Sequence, residues 1–413
     1  MSRGLLSDYF TGVMYKRLAA VEVDRLRSNQ HEFNGNAGFK RLLGTAPSRK
    51  LETTFLYLDD ERRVSGTGVL TWYDARAAHP TRSEHHLYYT GNEVVPLAKP
   101  GDGFFLALRS GDEALVIIAP AGSSVLAQLF WLFDMDQSGA LELETRDLSA
   151  SPAEAGFLAR MVLEELGIEA EGPGEERFDA LIEPFGLTFP STRVFSEFAR
   201  KSLGDIDPRD DPDAVLMAWI EREEQLFRRL ERRIVSERLS EGFHAEDRVD
   251  VDGFLSFSLG VQNRRKSRAG AALENHVEVV FHAFGLDVER GAKTENNNRP
   301  DFLFPSATAY HDPAVPADRL LMLGSKTTCK DRWRQVLSEA ARIEHKHLLT
   351  LEPGISESQT TEMRDKRLQL VLPISIHESY RPTQRPDLAS LRGFIDLARD
   401  RQGHRDGSRP SLI

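Results

Sequence analysis

Between Arg268 and Leu372 the apolar residues change from a helical period to short buried runs, and that change limits the layers the chain can build. Leu273, Val277, Val280, Phe281 and Phe284 recur at helical spacing across Arg268 to Leu286, and Gly285 supplies a stop. Asp301-Phe302-Leu303-Phe304 then reads as a short strand turned by Pro305-Ser306, and Leu320 to Ser325 as a second, buried strand. Arg332 to Ile343 returns to helical spacing, with Val336, Leu337, Ala340 and Ile343 inward. His347 to Leu351 and Leu368 to Leu372 add two apolar strands, and Leu388 to Ala398 a closing helix. That order predicts an α/β/α layered core.

Upstream, Ala214 to Leu239 puts Leu216, Ile220, Phe227, Leu230, Ile234 and Val235 near one face of a long amphipathic helix. The first part of the chain is rich in β-branched and aromatic runs. Thr53 to Leu58, His86 to Thr90, Gly103 to Leu108 and Glu113 to Ala119 are separated by turn formers such as Ser65-Gly66 and Pro100-Gly101. A β-sandwich or pseudobarrel is expected there. The acidic, small-residue stretch Glu142 to Glu176 reads as a hinge region, with a helix at Phe157 to Leu166 inside it. With 413 residues the chain is long enough for two domains. They are placed at 1–165 and 181–413 around a linker at 166–180, α+β overall.

No run approaches the roughly 20 apolar residues of a membrane span, and the N-terminus lacks a signal-peptide core, so a cytoplasmic protein without membrane partners is expected. The single cysteine, Cys329, excludes an internal disulfide and a cysteine-based zinc site. A net charge of −11 argues against a protein that coats nucleic acid indiscriminately. Positive charge is nevertheless concentrated locally. Arg264, Arg265, Lys266 and Arg268 fall within five positions, and Lys330, Arg332 and Arg334 stand against Asp331 further on.

These positions permit phosphodiester hydrolysis, which needs a hard divalent cation held by oxygen ligands. Asp301 offers a carboxylate at a strand start and Ser325 a backbone carbonyl. Lys326 is suited to orienting the nucleophile and offsetting transition-state charge. Glu274 and Glu339, each expected on a helix beside the hairpin, would complete the acidic set, while Glu278 reads as an exposed helix carboxylate. On the plainer reading Asp301 caps a turn and Lys326 is a solvated strand end. The Arg264 to Arg268 cluster is expected at a helix N-terminus, where cations oppose the macrodipole unless an anion such as DNA phosphate compensates. His276, His282, His345 and His347 have no ligand spacing and read as structural. Tyr310 either touches the scissile region or packs.

Asn263 to Gly270 (NRRKSRAG), Pro300 to Asp312 (PDFLFPSATAYHD) and Lys326 to Gln335 (KTTCKDRWRQ), supported by Leu187 to Pro190 (LTFP), resemble EcoRII-type restriction endonucleases. The clear resemblance covers roughly Glu183 to Pro373. It implies a magnesium-dependent type II restriction enzyme of the PD-(D/E)XK nuclease fold. Such an enzyme cuts double-stranded DNA at a site related to CC(A/T)GG, as a homodimer, beside a cognate cytosine methyltransferase as functional partner. By position, Asp301 and Lys326 match the nuclease motif, and Glu274 and Glu339 match its further acidic residues. Lys266 and Tyr310 match residues implicated in activity, and the Arg-rich segment matches the region that recognises C:G pairs. The resemblance also implies an N-terminal effector domain like the plant B-three-type DNA-binding pseudobarrel, with His86 to Glu93 the best local match and Arg82, Asn92 and Glu93 around it. Gly324-Ser325 departs from the small apolar residues of the family. A DNA-binding protein with a decayed nuclease core is the alternative, disfavoured because all four motif residues are present.

Overall fold

In the computed structural model, residues 5–23, 31–46, 48–79, 81–136, 143–149, 156–169, 175–245, 248–329 and 332–403 are described. Two compact units form. One comprises Met1–Pro173 with the short segments Pro353–Gln359 and Ser379–Arg381, and the other Gly174–Glu352, Thr360–Glu378 and Pro382–Ile413.

The first unit is one eight-stranded sheet with strand order β2-β5-β4-β3-β7-β6-β1-β8. Its strands are β1 (Gly12–Arg17), β2 (Glu32–Asn34), β3 (Ser48–Leu58), β4 (Arg63–Asp74), β5 (His85–Tyr89), β6 (Gly103–Leu108), β7 (Glu113–Ala119) and β8 (Leu143–Asp147). Among its described strands only β3 and β7 pair in parallel. Both faces are buried, because alternate residues feed two separate cores. Phe105, Ala107, Leu115 and Ile117 enter one. Phe104, Leu106, Val116 and Ile118 enter the other. That is why β6 and β7 read as continuous apolar runs rather than as an alternation. Helices α1 (Ala20–Val23), α2 (Ala37–Leu43), α3 (Ser124–Leu132) and α4 (Phe157–Glu165) complete the unit. The hinge reading of Glu142 to Glu176 is corrected in part: Leu143–Asp147 is an edge strand on β1, legible only as a polar run because its side chains stay largely unburied.

The second unit opens with α5 (Asp179–Ile182), α6 (Thr192–Lys201) and the long pair α7 (Pro212–Glu241) and α8 (Val251–Ala283), the last two joined by the small ladder β9 (His244–Ala245) and β10 (Arg248–Val249). A five-stranded sheet follows, in the order β11-β12-β13-β14-β15. These are β11 (Glu289–Arg290), β12 (Phe302–Phe304), β13 (Leu321–Lys326), β14 (Lys346–Thr350) and β15 (Leu368–Val371), with α9 (Ala307–His311), α10 (Trp333–Val336), α11 (Glu357–Asp365) and α12 (Leu391–Gln402) around them. β11 to β13 pair antiparallel, and β13 to β15 in parallel. Phe281 of α8 packs edge-on against Phe302 and Phe304, and Phe394 of α12 joins them on the same face, while Val336 of α10 closes on Gly324 from the other, giving the expected layers. Among the described residues no helix is long and apolar enough to cross a membrane.

Two sequence expectations are corrected here. α8 begins at Val251, capped by the Asp250 carboxylate on the Gly253 N–H, so Arg264 to Arg268 lies in mid-helix and the macrodipole argument does not apply. The start was misplaced because the burial stripe begins only at Arg268, while Phe254, Leu255 and Leu259 remain exposed. The helix expected over Arg332 to Ile343 is only Trp333–Val336. The helix closes at Leu337, so Glu339 sits in the turn beyond it, just before Ala340, whose φ of 48° is left-handed.

Candidate functional site

Antiparallel pairing of β12 with β13 places Phe302 opposite Leu323, so Asp301 reaches the end of the hairpin where Ser325 and Lys326 emerge. Asp301 Oδ2 accepts two hydrogen bonds, from the Ser325 N–H at 2.7 Å and from Lys326 Nζ at 2.7 Å. The same ammonium donates to the Ser325 carbonyl at 3.0 Å. Gly324 makes this end of β13 approachable. A Cβ there would stand 3.0 and 3.2 Å from the methyls of Val336, so the missing side chain lets α10 close on the strand. The absence of a side chain at Gly324 is thus a packing feature.

The turn after α10 supplies Glu339. Its Oε2 is buried with no hydrogen-bond partner, and burial, reinforced by the Asp301 charge, pushes the carboxyl up to about 7 against the pull of Lys326 and Lys346. Glu274 on α8 is also raised by burial, with Asp301 adding to the rise, while Arg290 opposes it. Arg290 binds Glu274 Oε2 through Nε at 3.0 Å and Nη2 at 2.5 Å, and its Nη1 reaches Asn275 Oδ1 at 2.7 Å. Sequence reasoning missed Arg290. It lies on the two-residue strand β11, opposite Phe302, and a strand that short and polar carries no periodic signal.

Asp301 and the Ser325 carbonyl meet at one strand end, and the Glu339 carboxyl, with its partnerless oxygen, feels the Asp301 charge. Among the described residues no cluster of three or more His, Cys, Asp or Glu side chains is arranged to hold a metal ion. Two carboxylates and a carbonyl suit a hard cation such as magnesium, which keeps several waters and needs few protein ligands. The residues present fit such an ion.

The basic segment divides. Arg264 and Lys266 are exposed, with the Arg264 guanidinium 4.2 Å from the centroid of the Phe189 ring. Arg265 faces Glu231 at 2.5 Å. Arg268 is buried, paired with Glu223 at 2.8 Å and with Glu224, and lies over Phe227. Two of the four cations thus join α8 to α7. Of the later basic run, Arg334 pairs with Glu362 at 2.8 Å and Arg332 bonds the Thr328 carbonyl, while Lys330 and Asp331 lie outside the described residues.

Tyr310 is fully buried, and its hydroxyl donates to Glu295 at 2.7 and 2.5 Å, so burial and that carboxylate push it up to about 12. The structure ties it to Glu295 rather than to the Asp301–Lys326 pair. His276 Nε2 lies 2.8 Å from Glu223 without hydrogen-bond alignment, and burial lowers its pKa; burial also takes His347, packed on Phe394, down to about 4. Both lie in the core, and His276 also contacts Arg200 through Nδ1 at 3.0 Å. Cys329 is buried and its thiol is held well above the ordinary range. In the first unit Asn92 accepts from the Val94 and Val95 N–H groups, a turn role, while Arg82 and Glu93 are exposed.

The segment that carries this arrangement has known counterparts. Residues 227–395 match the EcoRII C-terminal family. Over 216 residues the chain is 42% identical to the type II restriction enzyme EcoRII of Escherichia coli, covering 52% of this chain and 52% of that protein. The chain therefore spans about half the length of the curated relative it matches. Among solved structures, metal-depleted Ecl18kI in complex with uncleaved, modified DNA aligns with 17% identity and a TM-score of 0.45, covering 57% of this chain and 86% of that one. The restriction endonuclease PspGI in complex with substrate DNA aligns with 15% identity and a TM-score of 0.43, over 52% of this chain and 95% of that one. Asp301, Lys326, Glu274 and Glu339 all lie within the part that matches the EcoRII C-terminal family.

Proposed function

We propose that the chain is a type II site-specific deoxyribonuclease that hydrolyses double-stranded DNA at a short site related to CC(A/T)GG, with magnesium as cofactor. The observation that carries this reading is the sharing of Asp301 Oδ2 and the Ser325 carbonyl by the Lys326 ammonium, inside a segment that matches the EcoRII C-terminal family.

Asp301, the Ser325 carbonyl and Glu339 would hold the metal, and Glu274, steadied by Arg290, completes the acidic set. A bound magnesium ion supplies Lewis-acid polarisation of the phosphate and a more acidic water. Lys326, released from its two oxygens, is placed to orient the nucleophile and offset charge on the phosphate. Arg264 and Lys266 are the DNA-facing cations of α8, and Arg265 and Arg268 take part by fixing α8 against α7. Tyr310 contributes through Glu295 and the residues following Glu339.

The same reading takes the active species as a homodimer, with one centre per chain matching a two-fold symmetric site. The β-rich first unit serves as an effector domain that binds a second copy of the site, and a cytosine methyltransferase protects the host DNA. Incubation of the purified protein with plasmid DNA and magnesium tests the reading: discrete fragments support it. Intact but retarded DNA supports a binding protein with an inactive core, and smearing supports an unspecific nuclease.

A further inference from the structure

Lys346, at the start of β14, is a buried ammonium that the roles above leave unused; only 7% of the residue is exposed. A buried charge is costly unless oriented dipoles or counter-charges surround it. Here Nζ donates to the Ala340 carbonyl at 3.2 Å and to the Ile343 carbonyl at 2.6 Å. Those carbonyls open and close the turn directly after Glu339, which the Ile343 N–H closes on Ala340 at 2.9 Å. The other side of the turn is tied as well: Glu295 accepts from the Ala341 N–H, and the Tyr310 hydroxyl accepts from the Arg342 N–H.

The turn needs such anchoring, because Ala340 holds a left-handed φ that an alanine seldom adopts unsupported. β14 lies beside β13 in parallel register, Lys326 opposite Thr350, so a side chain at the start of β14 ties this turn to the strand next to the nuclease hairpin. Glu339 has no hydrogen bond on its buried Oε2 to fix its direction. Its aim is then set by the backbone of the turn.

We propose that Lys346 is a positioning residue of the metal site: by pinning the Ala340 and Ile343 carbonyls it aims the Glu339 carboxylate at the ion, and its charge offsets part of the acidic set. The inference rests on the nuclease reading of Asp301, Ser325 and Glu339. It makes Lys346 an outer partner of a ligand, a class whose loss typically costs about tenfold to a hundredfold in metal affinity or activity.

The test is titration of the full-length protein with magnesium, followed both by calorimetry without DNA and by the rate of plasmid cleavage. For Lys346→Met the half-saturating magnesium concentration should rise about tenfold or more in both readouts. The cleavage rate at saturating magnesium should fall less. Lys346→Gln, which keeps one donor for the turn without the charge, is the second variant if the methionine protein does not fold, and should shift the titration in the same direction. Native-like half-saturation in a folded variant, with activity reduced only in proportion to folded protein, would overturn the assignment while leaving the nuclease reading intact. A native protein that neither binds magnesium nor cuts DNA would remove the nuclease reading and this inference with it.

Discussion

Lys326 and Asp301 meet on a single carboxylate oxygen, Oδ2, which also accepts the Ser325 N–H, so one atom of Asp301 ties the two strands together at the open end of the hairpin. The consequence is that Asp301 would combine a structural role with its proposed ligand role at one atom. Asp301→Ala should lower the cleavage rate by several kcal/mol of barrier, roughly a thousandfold or more. Retardation of target DNA should be retained, since no base contact is removed. Lys326→Ala should behave in the same way. Plasmid cleavage set beside gel retardation separates the two effects.

The divided basic segment predicts two kinds of variant. Arg268→Ala strands the buried Glu223 carboxylate and should cost about 3–5 kcal/mol of stability, read as a lower urea midpoint. Arg264→Ala loses only the contact with Phe189, within about 1 kcal/mol. Its effect should appear instead as weaker DNA retardation and a shallower salt dependence of binding.

Tyr310→Phe removes the hydroxyl from Glu295 and from the Arg342 N–H. Glu295 is partly exposed, so the loss should be modest, about 1–2 kcal/mol by thermal or urea unfolding. A rate loss far larger than the loss of folded protein would instead indicate direct contact with the reacting groups.

Glu339 gives a pH signature in the metal-free protein. Its carboxyl is raised to about 7 in the folded chain against an ordinary value of 4.5, so between those values the folded state holds the extra proton. Its contribution to stability is fully present below about 4.5 and is lost as pH rises to about 7. Stability of native protein relative to Glu339→Gln should fall across that window and level off above it, by urea unfolding in chelator. A difference that stays flat, or rises with pH, would contradict the placement.

Much of this was legible from residue spacing, and the exceptions share a cause. Phe302–Phe304, Leu321–Lys326 and the apolar positions of α7 bury one face or two, and burial is what periodicity reports. Arg290, the Ala340 turn and the start of α8 carry no burial pattern. Arg290 is held by ion pairs to Glu274 and Glu278, the turn by a lysine on another strand, and the first half of α8 by its Asp250 cap. Such partners lie 12 to 16 residues away for Arg290 and three to six for Lys346, and no local pattern announces them. The division of the Arg264 to Arg268 segment was likewise hidden, because the glutamates that neutralise Arg265 and Arg268 sit on α7. Charge counting along the chain saw a patch where the folded helix pair has salt bridges.

The most direct measurement is cleavage of a plasmid of known sequence by the full-length protein with and without magnesium, followed by sequencing of the fragment ends. Discrete fragments whose ends share one short sequence related to CC(A/T)GG, formed only with the metal and absent with Asp301→Ala, are the predicted result. Cleavage that survives Asp301→Ala, or uncut DNA with saturating magnesium, would contradict the assignment of this hairpin as a nuclease centre.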